Sequence, residues 1–332
     1  MLPKQIFTAL SMLRFIITVV CILSSGSLLA YQGHEAVEAN IRKHVTYLAS
    51  DALEGRGTNS SGYLKAADYV EAHFKTNRLI PVIKAGGSGS YFQKFELKAH
   101  EYRNIKSKQH FDKATSINVL GLVEGTDPQL KHEYIVLSAH LDHIGQIDGE
   151  IHNGANDNAS GSAAILELAR LIARKPLKRS VIFALFGAEE IGLVGSKYFV
   201  NNSPVPLSSI ITNANVDGVG AYIDQPGDQM KLLAIGAALP CADLEERLMQ
   251  VNDTTEKLEL STEDPQAYIM RSDQYNFLKQ EIPVVMFTDY GNGHYHKPTD
   301  DAHRLQYGKL TRLTNLIHQL TINLGNGAGL CR

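Results

Sequence analysis

Apolar and polar positions follow two rhythms along this chain, and the rhythm changes near residue 118. Over 36–48, and again from 63 to 77, apolar residues recur at helical spacing. Ala66, Tyr69, Val70 and Phe74 share one face of the second segment. Between the two, Ser50-Asp51 opens a turn-rich stretch that runs to Gly62. Further on, Gly86-Gly87-Ser88-Gly89-Ser90 reads as a flexible loop. The polar segment 98–113 fits neither period. From residue 118, β-branched or apolar runs at 118–123, 134–138, 181–186, 210–215, 232–235 and 284–287 are bounded by turn residues and read as strands. Helical spacing at 162–173, 242–251 and 310–324 separates or closes them. Strands alternating with helices predict an α/β fold, with a mostly parallel, mixed central sheet flanked by helices on both faces. No internal repeat or low-complexity linker divides the chain, so one catalytic domain over 31–332 is expected.

The first thirty residues carry a separate signal. Lys4 and Arg14 precede the apolar run 15–23, and small residues follow at Ser24, Ser25, Gly26, Ser27 and Ala30. That order predicts a signal peptide over 1–30 and an extracytoplasmic mature protein, secreted or periplasmic. The run is short for a span, so no stable membrane insertion is expected after its removal. Cleavage would leave Cys241 and Cys331, which permits one disulfide. Neither belongs to a CxxC pair, so a thiolate zinc site is not supported.

Composition narrows the classes further. The 332 residues carry a net charge of −3, with 44% hydrophobic and 20% charged positions, which is ordinary for a folded enzyme and unlike a disordered chain. No basic stripe stands out, which argues against a nucleic-acid partner.

In sheets of this kind, sites form beyond the carboxyl ends of the strands. His140 and Asp142 follow the run 134–138, Glu189 and Glu190 follow 181–186, Asp217 follows 210–215, and His294 and His296 follow 284–287. The loop Gly154-Ala155-Asn156-Asp157-Asn158-Ala159-Ser160-Gly161 adds Asp157 just ahead of a helix. Each residue has a plain alternative: Asp157 as a helix cap, Glu189-Glu190 at the positive end of a helix, Asp217-Gly218 as a turn. Together those alternatives need a separate coincidence at every strand end. Nitrogen and oxygen ligands without cysteine suit a catalytic zinc site. Two adjacent glutamates must point differently, so one can bind metal while the other serves the bound water as general base.

These residues resemble the co-catalytic zinc exopeptidases, the superfamily of bacterial leucyl aminopeptidases, glutamate carboxypeptidases, glutaminyl cyclases and the transferrin-receptor ectodomain. The resemblance is carried by Ser138-Ala139-His140-Leu141-Asp142-His143, the loop 154–161, Glu189-Glu190, Asn215-Val216-Asp217 and His296-Lys297-Pro298-Thr299-Asp300. The stretch 48–57, with Glu54-Gly55-Arg56-Gly57, resembles the lead-in of bacterial members. The resemblance implies two zinc ions, one held by His140 and Asp217, the other by Glu190 and His296, with Asp157 bridging. It implies Glu189 as general base, Asp142 as the partner of the other ring nitrogen of His140, and a cis peptide at Asp157–Asn158. His296 is preferred to His294 because it precedes Lys-Pro-Thr-Asp.

Two departures stand out. The stretch between Phe95 and Asn118 leaves no room for the protease-associated domain that some relatives insert. Gln274 follows Ser272-Asp273 where others have His or Tyr, which leaves Gln274 and Tyr295 as alternatives for polarising the substrate carbonyl. The expected activity is an aminopeptidase acting on peptides with a free N-terminus. The alternatives are a glutaminyl cyclase-type acyltransferase, a carboxypeptidase or dipeptidase of the same superfamily, or a non-catalytic receptor that has lost its metal.

Overall fold

The computed structural model describes residues 34–85, 88–102, 115–220, 232–236, 239–262, 266–289 and 293–330. The expected signal peptide and Cys331 lie outside these residues. Among them, nine strands form one sheet: β1 Ile80–Pro81, β2 Phe92–Glu96, β3 Thr115–Val123, β4 Tyr134–His140, β5 Ser180–Phe186, β6 Ile210–Val216, β7 Leu232–Ile235, β8 Leu260–Ser261 and β9 Val284–Thr288. Their spatial order is β1-β3-β5-β4-β6-β9-β7-β8, with β2 also paired to β3.

The four central strands, β5, β4, β6 and β9, are mutually parallel. Antiparallel pairs flank them on either side, β3 against β5 and β7 against β9. The sheet is therefore mixed with a parallel centre, as the alternation of strands and helices predicts.

Two-sided burial is why the central strands read as continuous apolar runs. In β4, Ile135, Leu137 and Ala139 face one core while Val136 faces the other. In β5, Val181, Phe183 and Leu185 alternate likewise with Ile182, Ala184 and Phe186. The larger core is closed by helices α1 (34–48), α2 (Ser61–Thr76), α3 (Gly161–Arg174), α5 (Ala242–Thr254) and α7 (Tyr307–Asn326). The smaller core is closed by α4 (Val194–Asn201), through Phe199 and Val200, and by α6 (Gln274–Leu278), through Phe277.

Three details differ from the sequence reading. Residues 88–90 of the Gly/Ser stretch are not simply loop but pair antiparallel with 83–85. The unassigned segment contains a short helix, Ala99–Tyr102, and its remainder, 103–113, lies outside the described residues. A second small hairpin, Gly145–Ile147 with Glu150–His152, stands between β4 and α3. Cys241 is disulfide-bonded. No helix among the described residues is long and apolar enough to cross a membrane.

Candidate metal centre

Because β4, β5, β6 and β9 run parallel, their carboxyl ends meet at one edge, and the polar residues that follow them converge. His140 ends β4, Asp217 directly follows β6, Glu189 and Glu190 follow β5, and His296 lies in the loop after β9. Asp157 sits in the tight turn Ala155–Ser160 that leads into α3, and its peptide bond to Asn158 is cis, as the resemblance implies.

Asp157 is the centre of the cluster. Its Oδ1 is 3.1 Å from Nε2 of His140, and its Oδ2 is 3.0 Å from Nε2 of His296. His140 Nε2 also lies 3.2 Å from Asp217 Oδ1, and His296 Nε2 lies 3.2 Å from Glu190 Oε2. Two groups of donor atoms result, His140 with Glu189 and Asp217, and His296 with Glu190, Asp157 and His143. Nε2 of His296 is buried between two carboxylates without forming a hydrogen bond, and the donors are all nitrogen or oxygen. Both features fit a catalytic zinc site.

Electrostatics follow from the crowding. Burial opposes ionisation of Asp157, yet contacts with His140 and His296 outweigh it and hold this carboxyl well below its usual range. Glu189 moves the other way: burial, joined by repulsion from Glu190 and Asp217, pushes it well above the usual range against the pull of His140. Burial also raises Asp142 to about 6 and Asp273 to about 7.

The orientation of His140 differs from the implied one. Its Nδ1 is 3.0 Å from the main-chain carbonyl of Asp142, whereas the carboxylate of Asp142 lies 3.9 Å away. That carboxylate instead accepts from the Thr58 hydroxyl at 2.5 Å and from the main-chain N–H of Glu189 at 3.1 Å. Asp142 thus ties the His140 strand end to the glutamate loop. The Leu141 N–H still bonds the Phe186 carbonyl, so the chain stays extended past His140, and the acceptor nearest the ring is the Asp142 backbone.

His294 hydrogen-bonds Thr299 and belongs to neither donor group. Gln274 is fully buried, with its amide nitrogen donating to Ile269 and its oxygen accepting from Asn215. Tyr295 is half exposed, stacks on His296 at 3.8 Å, and lines a cavity of about 270 Å³ beside His140, Asp157, Glu189 and Asp217. Burial and the surrounding carboxylates raise its phenol, which keeps the proton available to donate.

Residues to which the sequence reading gave no role hold this centre. Arg56, fully buried, donates to four main-chain carbonyls: Leu141 (2.9 Å), Leu48 (2.5 Å), Asn153 (2.7 Å) and Gly154 (2.9 Å). One guanidinium thus pins both the loop after β4 and the loop that leads to Asp157. Asp300 accepts from the N–H groups of Asn156 (2.8 Å) and Asp157 (3.1 Å). Gly154 takes φ +57°, and a Cβ there would stand 2.5 Å from ring carbons of His143. His143 itself, quoted in the motif but unassigned, places Nδ1 2.8 Å from Glu190 Oε1. Its one sequence signal is that it is the third polar residue in the four that end with it at the strand terminus.

A model of peptidase family M28 matches residues 118–321. Leupeptin-inactivating enzyme 1 of Streptomyces exfoliatus is 31% identical over 189 residues, 55% of this chain and 36% of that protein. An aminopeptidase of Bacillus subtilis is 38% identical over 112 residues, 33% of this chain and 23% of that protein. The matched stretch thus spans about a third or less of these two relatives. Among solved structures, a zinc aminopeptidase from Bacillus subtilis aligns with a TM-score of 0.71 at 15% identity, covering 87% of this chain and 95% of that one. An aminopeptidase from Aneurinibacillus sp. strain AM-1 aligns with a TM-score of 0.65 at 17% identity, covering 89% and 95%.

Proposed function

Because the chain belongs to peptidase family M28, we propose that it is an exported zinc aminopeptidase with two metal positions joined by Asp157. The observation that carries this reading is the division of one carboxylate between two histidines, Oδ1 toward His140 and Oδ2 toward His296. His140 and Asp217 would hold one zinc ion, and Glu190 and His296 the other. Zinc bound there supplies Lewis acidity and a water whose pKa falls toward about 7.

The chain's own groups do the remaining work. Glu189 lines the cavity beside His140 and Asp217 and lies outside the second donor group, a position that suits a base that takes a proton from water and returns it to the leaving amine. Tyr295, protonated and at the cavity wall, is favoured over Gln274 as the donor to the substrate carbonyl, because the amide of Gln274 is engaged inside the protein. The cavity volume, about 270 Å³, falls just below the roughly 300–1,000 Å³ of small-ligand pockets, which suits one terminal residue.

The test separates the two adjacent glutamates. Glu189→Gln keeps shape but cannot accept a proton, so both zinc ions should stay bound while turnover falls roughly 10²–10⁴-fold. Glu190→Ala should lose zinc as well as rate. Near-normal turnover in Glu189→Gln, or zinc loss from it, would overturn the assignment. Release of free amino acids from unblocked but not N-terminally blocked peptides checks the substrate class; pyroglutamate formation without release would point to a cyclase. A mature N-terminus near Tyr31 outside the cytoplasm checks export.

A further inference from the structure

We propose that His143 is a positioning residue that selects which oxygen of Glu190 faces the second metal position. The inference rests on the two-position reading above. The two oxygens of Glu190 are divided: Oε2 lies 3.2 Å from His296 Nε2, and Oε1 lies 2.8 Å from His143 Nδ1.

His143 is near enough to be a ligand itself, since its nitrogen lies within 4.8 Å of the other three donors. Distances decide against that role. Donors at about 2.0–2.1 Å around a tetrahedral zinc stand roughly 3.3 Å apart. The pairs facing the metal positions, at 3.0–3.2 Å, come close to this. The His143–Glu190 pair does not: 2.8 Å is the length of an N–H···O⁻ hydrogen bond, roughly 2.7–2.9 Å. Meanwhile His143 Nδ1 is 3.7 Å from Asp157 Oδ2, too far for the same pattern.

The tautomer follows. A lone pair on Nδ1 would face carboxylate lone pairs at 2.8 Å, so Nδ1 carries the proton and donates to Oε1. Nε2 is buried with no hydrogen-bond partner, and this tautomer leaves it a lone pair rather than a stranded N–H. The ring cannot swing away. His143 is 1% exposed, its main-chain N–H donates to the Arg56 carbonyl at 3.1 Å, and the Cβ-less face of Gly154 backs its ring. Glu190 is therefore offered to the metal through Oε2 alone, already turned.

The experiment is zinc titration of metal-free protein against a chromophoric chelator, for the wild type, His143→Leu and His143→Asn. Asn places an amide N–H where Nδ1 stands, but is a poor zinc ligand. His143→Leu should weaken one binding step roughly 10–100-fold, the usual cost of losing a hydrogen-bond partner of a ligand, and leave the other step unchanged. The weakened step should be the one that Glu190→Gln abolishes, and His143→Asn should recover most of the loss. Equal losses in Leu and Asn would make His143 a ligand and overturn the proposal, as would an unchanged isotherm in His143→Leu. Binding of a single zinc by the wild type would instead overturn the two-position reading on which the proposal stands.

Discussion

Removing the guanidinium of Arg56 tests whether the segment ahead of the family-matched region holds the centre in place. Its four hydrogen bonds to main-chain carbonyls would each net about 1.5–3 kcal/mol if independent, about 6–12 in all. That sum is too large, because burying the cation costs several kcal/mol and the bonds share one rigid group. Burial pulls Arg56 down to about 10 against the upward push of Asp157, Asp300, Asp142 and Glu190. Set against that desolvation cost, the net loss on deleting the guanidinium is about 3–5 kcal/mol, a large part of the roughly 5–15 kcal/mol stability of a typical protein.

Arg56→Met keeps the stem and removes the donors. The assay is urea unfolding of the metal-free protein, followed by circular dichroism, so that metal linkage does not mask the change. Zinc affinity supplies an independent sign. If Arg56 acted only as a nearby positive charge, its loss would tighten zinc binding; if it positions the two loops, zinc binding should weaken. Arg56→Lys, which retains the charge but cannot span four carbonyls, should behave more like Met than like the wild type. A loss below about 1 kcal/mol with an unchanged urea slope, or tighter zinc binding, would refute the reasoning.

Other perturbations have equally definite outcomes. His44, buried against His73 and Tyr69, is lowered by burial from 6.5 to about 3, so the unfolded chain takes up the proton first; stability should be intact above about pH 6.5 and fall as pH drops toward 3, and His44→Gln should flatten that slope in urea melts. Gly154→Ala would set a Cβ 2.2 Å from the Asp157 carbonyl and 2.5 Å from the His143 ring, so zinc content by elemental analysis should collapse; wild-type content would refute the crowding argument. Asp300→Ala strands two buried N–H groups at about 1–3 kcal/mol each and should lower both melting temperature and zinc affinity. Chelation should destabilise by about 2.7 kcal/mol per ion relative to protein at hundredfold excess over Kd, and zinc should restore the melt; an unshifted melt would show that no tightly bound metal is present.

The parallel centre of the sheet was legible because β4, β5, β6 and β9 are buried on both faces and are mostly apolar, with Ser138, Thr212, Asn213 and Asn215 among the buried polar exceptions, each hydrogen-bonded. The same parallelism made His140, Glu189, Glu190 and Asp217 legible, since each sits where a run ends. Strand β2 was missed for a physical reason. In Phe92–Glu96 the inward position is taken by Gln93, whose amide bonds Asn118 and the carbonyl of Asn202, so the apolar alternation is broken. Helix α4 was missed because it opens on Val194-Gly195, weak helix formers, and Gly195 is required where a Cβ would stand 2.2 Å from the Gly187 carbonyl. Three of the four Arg56 bonds reach main-chain atoms across 85–98 residues, and both Asp300 bonds reach across 143–144. A main-chain donor or acceptor has no residue identity, so no pattern of side chains announces it.

The reach of Asp300 has a consequence for the order in which this protein comes into being. A chain made from its N-terminus carries His140, Asp157, Glu190 and Asp217 long before residue 296 or 300 exists. Until Asp300 arrives, the N–H groups of Asn156 and Asp157 have no carboxylate to hold the bridging turn. An unfinished chain, or one clipped ahead of residue 296, therefore carries all but one of the proposed ligands and no assembled centre. The proposed metal centre is therefore complete only once the segment 296–300 has been made and has folded back onto the turn at Asp157.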